Sequence, residues 1–234
     1  LFNALLFGFS CLQIEYSSVI LSALTIITFA AFQKFTEFKR YNNYAFILMI
    51  GCVVCSIYQA IDHADWTDKT ILYITQAASI LISVGYYYLL FKTKKEESKL
   101  FVNFLPYLQN LWIIILLFLQ VEFKYLPILF MGLALLNYWL ITSNKIKTEL
   151  HFATGIGLLG IIASVFFSID KLNSFEVIDW ALQLGSVALG VVFVILLSKK
   201  EAVETLKSNY QIVLNVWLSI IMFSQLEHQW LPVF

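Results

Sequence analysis

Long apolar runs alternate with short polar connections along the whole chain. A membrane-spanning helix needs about 20 apolar residues, and about 17 is a practical minimum. By that rule the pattern predicts spans near 17–33, 43–61, 70–91, 101–119, 125–142, 152–169, 177–197 and 209–226. A truncated span ending near Cys11 precedes them, and a tenth begins in the last residues, LPVF. The runs are continuous and about twice the length of a barrel strand, which would alternate over roughly 10 residues. The expected fold is therefore all-α: a polytopic transmembrane helical protein of about nine spans, the first truncated.

The polar residues inside this pattern recur. Asn110, Gln120, Glu122 and Pro127 form the skeleton of NLWIIILLFLQVEFKYLP, and Asn215, Gln225, Glu227 and Pro232 form that of NVWLSIIMFSQLEHQWLP. A fainter copy, with Asn3, Gln13 and Glu15, opens the chain. The segment SIYQAID (56–62) likewise matches SVFFSID (164–170). These spacings predict a tandem four-helix repeat: residues 1–100, residues 101–208, and the first helix of a third copy in residues 209–234. Repeats of this kind pack as an array. An even number of spans per repeat makes the copies parallel, whereas the inverted repeats of many transporters require an odd number.

Composition supports the membrane reading. The 234 residues are 60% hydrophobic and 13% charged, against about 25% charged in soluble domains. Net charge is zero, so nothing points to nucleic acid as a partner. The expected partners are the lipid bilayer and further membrane subunits or remaining parts of the same chain. LFNALLFGFS has neither the basic flank nor the cleavage site of a signal peptide. The chain reads as a piece of a longer polytopic protein.

Charge also predicts orientation. The connections 33–40, 92–99, 144–149 and 199–207 hold 12 Lys or Arg against 6 acids. The connections 13–18, 62–69, 120–124, 170–179 and 225–229 hold 3 Lys against 9 acids. The positive-inside rule places the first set in the cytoplasm and the second outside. Trp66, Trp180 and Trp230 then fall at outer ends, and Tyr41, Tyr44 and Trp139 at inner ends, as an aromatic belt requires.

The N-x-[LW] helix starts, Gln-x-Glu helix ends and tandem hairpins resemble a family of uncharacterised bacterial membrane proteins catalogued as domain of unknown function 2339. The resemblance covers most of the chain and rests on hydropathy rhythm and short patterns. It implies a bacterial inner (cytoplasmic) membrane location and no assigned activity.

Candidate chemistry is sparse. Asn3, Asn110 and Asn215 lie near mid-span, where an unpaired amide is costly. They read first as interhelical hydrogen-bonding groups and second as the lining of a ligand path. The outer rim gathers Gln13, Glu15, Asp62, His63, Gln120, Glu122, Gln225 and Glu227. Carboxylates there stay hydrated, so topology alone accounts for them. Asp62, His63 and Asp65 carry metal-ligand chemistry, but Lys171 stands where His63 does in the other copy, and no metal or other cofactor is expected.

Cys52 and Cys55 form C-x-x-C inside a span, where Gly160 and Ala163 match them, so small-residue packing is expected. Gly155, Gly157 and Gly160 spell the dinucleotide fingerprint, yet lack the preceding strand it requires. No ionisable group stands clearly inside a span, as pumps and proton relays require. The expected function is non-enzymatic: envelope structure, or binding and passage of a neutral or lipidic ligand between helices. The alternative is a membrane enzyme acting at the outer face through Glu122, Glu227, Asp62 or His63.

Overall fold

The computed structural model describes residues 16–34, 42–62, 69–93, 99–143, 150–171, 174–198 and 204–225. Among the described residues all regular structure is helical. The α-helices are α1 (Ser17–Lys34), α2 (Asn42–Asp62), α3 (Thr70–Thr93), α4 (Lys99–Gln120), α5 (Leu126–Thr142), α6 (Leu150–Asp170), α7 (Val177–Ser198) and α8 (Glu204–Gln225). A 3-10 turn, Phe123–Tyr125, joins α4 to α5.

Six helical segments are long and apolar enough to cross a membrane: Tyr44–Asp62, Thr70–Lys92, Phe101–Gln120, Phe123–Thr142, Leu150–Asp170 and Val177–Ser198. Shorter apolar helices, Ser17–Ala31 and Tyr210–Gln225, lie in α1 and α8. The eight helices fall where eight of the apolar runs place them. The expected span ending near Cys11 and the one beginning in LPVF lie outside the described residues. Outward-facing positions are apolar, with Val54, Leu81, Phe166 and Leu184 each at least 60% exposed. A surface of that kind is poorly solvated by water and well solvated by lipid chains.

Local sequence sets the helix ends. Pro127 stands in the first turn of α5, where its missing N–H removes a donor that has no intrahelical partner anyway. The preceding turn is closed by Tyr125 N donating to Glu122 O at 3.0 Å. Asp179 lies in the first turn of α7 and is buried. Its Oδ2 accepts from Glu176 N at 3.1 Å, the returning half of a capping box. Pro106 stands inside α4 and cannot donate to the carbonyl one turn back.

The chain divides after Gln120 into two compact units. In the first, α1 packs on α2 and α3, and α4 packs on the same two helices from the opposite corner. In the second, α5 packs on α6 and α7, and α8 packs on those two. Burial follows the same register in both. Ser17, Leu21, Thr25 and Phe29 on α1 are buried, as are Leu126, Phe130, Ala134 and Tyr138 on α5. On α2 the buried Ala45, Met49, Cys52 and Ser56 match Ala153, Gly157, Gly160 and Ser164 on α6. On α3 the buried Gln76, Ser79, Ser83 and Leu90 match Gln183, Ser186, Gly190 and Leu197 on α7. A periodic sequence has no privileged starting point. The phase chosen from Asn3, Asn110 and Asn215 divides the chain at 100 and 208, and compaction divides it one helix later.

Each unit has one place where its first two helices approach closely. In the second unit a Cβ on Gly160 would lie 3.2 Å from Pro127 O and 3.3 Å from Met131 Cγ. At the matching place in the first unit, Cys52 Sγ donates to Ser18 O at 3.2 Å. The C-x-x-C and the third glycine of G-x-G-x-x-G are therefore the same feature of helix packing.

Candidate functional site

A chain of three side chains crosses the core of the second unit. Trp217 on α8 donates from Nε1 to Ser164 Oγ on α6 at 2.7 Å. Ser164 Oγ in turn donates to Gln183 Oε1 on α7. All three residues are buried. Gly190 makes room for the indole, since a Cβ there would lie 2.9 Å from Trp217 Cζ3. Every group in this triad is neutral. It can bind, orient or pass a hydrogen bond, and it carries no side chain that titrates near neutral pH.

The first unit has the same residue types at the matching positions: Ser56 on α2, Gln76 on α3 and Trp112 on α4. All are buried, but they are bonded differently. Gln76 Nε2 donates to the Ser56 main-chain carbonyl at 3.2 Å. Ser56 Oγ and Trp112 Nε1 are both buried without a hydrogen-bond partner. In the second unit tryptophan and serine bond directly and Gln183 Nε2 is the donor left over, whereas in the first unit the tryptophan and the serine are both left over.

The sequence-predicted residues are distributed differently. Asn110 is buried and donates from Nδ2 to Pro106 O at 2.8 Å within its own helix. Asn215 is exposed, and its main-chain carbonyl accepts from Ser219 Oγ at 2.9 Å. The matching asparagines thus have unlike surroundings. Asn3, Gln13, Glu15, His63 and Glu227 lie outside the described residues.

At the rim, Asp62 is exposed at the last residue of α2. Glu122 is exposed and pairs with Lys124 at 2.8 Å, an arrangement that contributes little in water. Gln120 Nε2 is buried without a hydrogen-bond partner. Gln225 has a defined structural task. Its Nε2 donates to Ser168 O at 3.3 Å and Lys171 O at 3.1 Å, and its Oε1 accepts from Phe175 N at 3.4 Å. It ties the connection between α6 and α7 to the end of α8. Among the described residues no three His, Cys, Asp or Glu side chains gather as a metal site.

The triads were only half visible in the sequence. Gln76 and Gln183 stand out as amides inside apolar runs. Ser56 and Ser164 head the matched segments SIYQAID and SVFFSID, and Trp112 and Trp217 end the matched NLW and NVW. What joins them is contact between helices, which spacing within a helix does not reveal. No family model, curated protein or solved structure matches the chain. The functional reading therefore rests on the geometry. The apolar helices mark a membrane protein.

Proposed function

We propose that this chain is a non-enzymatic multi-pass protein of the bacterial inner membrane. It is built from tandem four-helix repeats and serves envelope structure or holds and passes a neutral or lipidic ligand between its helices. One observation carries the reading: a buried, uncharged Trp–Ser–Gln constellation stands at the same position in both units. Such groups in a hydrocarbon setting either lock helices together or present hydrogen bonds to a guest.

The repeat of nine spans is supported by the matched burial registers of α1–α4 and α5–α8. Orientation, with basic connections in the cytoplasm, is supported by the uneven partition of charge between the two sets of connections. The resemblance to domain of unknown function 2339 supports the same membrane. The bilayer and neighbouring membrane segments are the partners this reading implies.

Complementation of a deletion strain tests the proposal. Glu122→Gln combined with Glu227→Gln is expected to leave complementation intact, and Gln76→Leu combined with Gln183→Leu to abolish it while the protein still inserts. The reverse result replaces this reading with an enzyme acting at the outer face.

A further inference from the structure

The interior of the first unit carries hydroxyls where the second carries hydrocarbon. Ser18, Ser22 and Thr25 on α1 occupy the positions of Pro127, Met131 and Ala134 on α5. Ser83 on α3 occupies that of Gly190 and accepts from Gln109 Nε2 at 2.6 Å. These polar positions meet at α2, where Gln59 Nε2 donates to Ser17 Oγ at 3.0 Å and Cys52 Sγ donates to Ser18 O. The Ser22 and Ser79 hydroxyls bear on the same thiol. At 1.5 Å per residue, the polar positions of α3 from Thr75 to Ser83 extend over roughly 12 Å of helix. They run from its acid-flanked end toward its middle.

Several buried side-chain atoms of this unit lack a hydrogen-bond partner, and two of them stand at the matching places of the Trp–Ser bond. Ser56 Oγ and Trp112 Nε1 belong to residues with 0% exposure and have no hydrogen-bond partner. An indole N–H is only a donor, so nothing but an acceptor satisfies it. Its counterpart Trp217 finds one in Ser164 Oγ. Trp112 has the matching serine in its own unit, and the direct bond is not made.

We propose that the first unit binds one uncharged hydroxyl group between Trp112 Nε1 and Ser56 Oγ. The guest oxygen accepts from the indole and shares a hydrogen bond with the serine. This rests on the interior being ligand-bearing, and it names the place and the chemistry of the guest. Two sources supply such a group, water and a lipid headgroup hydroxyl. In the second unit Trp217 and Ser164 already bond directly, so no guest stands between them.

The test is NMR of the full chain with nitrogen-15 in its tryptophans, in nanodiscs of phosphatidylcholine or of phosphatidylglycerol, whose headgroup alone carries hydroxyls. Trp217→Phe and Trp112→Phe each assign their own indole among the six tryptophans. If the guest is water, the Trp112 indole proton exchanges with solvent at least about tenfold faster than that of Trp217 in both lipids. If it is a lipid hydroxyl, the Trp112 resonance alone shifts in phosphatidylglycerol. Ser56→Ala removes either signature, and Ser164→Ala leaves it. Equal exchange and equal lipid response of the two indoles overturn the proposal, as does a Ser56→Ala chain in which Trp112 behaves as in the wild type. Those outcomes leave the membrane-repeat reading standing, because complementation by the glutamine and glutamate variants tests it separately.

Discussion

Gln225 Nε2 donates to the Lys171 carbonyl at 3.1 Å, fastening the end of α8 to the turn that ends α6. Lys171 N itself closes that turn on Phe167 O at 3.0 Å. The same amide of Gln225 reaches Ser168 O, and its carbonyl receives Phe175 N. A residue that looked like half of an acidic rim motif is a bracket for an interhelical connection.

Gln225→Leu is expected to destabilise the second unit by about 1 kcal/mol or somewhat more, because it removes the partner of part-buried main-chain groups. Hydrogen exchange at 174–176 should rise before exchange in the middle of α6 or α7 does. Gln225→Glu keeps an acceptor for Phe175 N but turns a carboxylate toward two carbonyls, so it should be no milder than Leu. Unchanged exchange at 174–176 in both variants would remove the bracket role.

Trp217→Phe keeps the ring in the space beside Gly190 and deletes only the donor to Ser164. Hydrogen bonds between membrane helices average about 0.6 kcal/mol and reach about 1.7, so the expected loss lies in that range. Ser164→Ala removes both bonds of the triad and strands Trp217 Nε1 and Gln183 Oε1 together, so it should cost more. Unfolding in bicelles, followed by the same probe for both variants, ranks them. A Trp217→Phe chain less stable than Ser164→Ala would show that packing of the indole outweighs the triad.

The glycines of G-x-G-x-x-G separate by sign. A Cβ on Gly160 would press on Pro127 O, Met131 and Phe130 at 3.2–3.3 Å, and overpacking of that kind costs about 1–3 kcal/mol. A Cβ on Gly155 meets nothing within 4 Å, so Gly155→Ala should stabilise the helix by about 1 kcal/mol or less. Thermal shift of the two variants in detergent is sufficient. A nucleotide-binding loop would show both substitutions as harmful to binding and neither as stabilising.

The helices were legible because membrane crossing leaves an unambiguous mark, a run of apolar residues as long as the bilayer is thick. The Cys52 and Gly160 positions were legible as packing because each stood where the other copy had a small residue. Asn110 is buried and donates to the Pro106 carbonyl on its own helix, a bond that depth in the span does not indicate. Asn215, at the same place in its helix, is exposed. The Trp–Ser–Gln triads were hidden for the opposite reason. Each member sits on a different helix, and only three-dimensional neighbours make them one constellation.

Orientation has a test within the second unit. Tyr138 OH donates to Leu196 O at 2.7 Å, placing the ends of α5 and α7 together. The connections that follow these two helices are the basic ones, 144–149 and 199–207. Gln225 lies at the other end, with Lys171 and Phe175, among the acidic connections. Ser143 and Ser174 are exposed residues at those opposite ends. In a chain whose native cysteines are replaced by alanine, Ser174→Cys is expected to react with an impermeant maleimide in intact cells. Ser143→Cys should react only after the membrane is opened. The reverse pattern inverts the orientation. Reaction of both in intact cells would mean that α6 does not cross between them, and the repeat would lose its alternation.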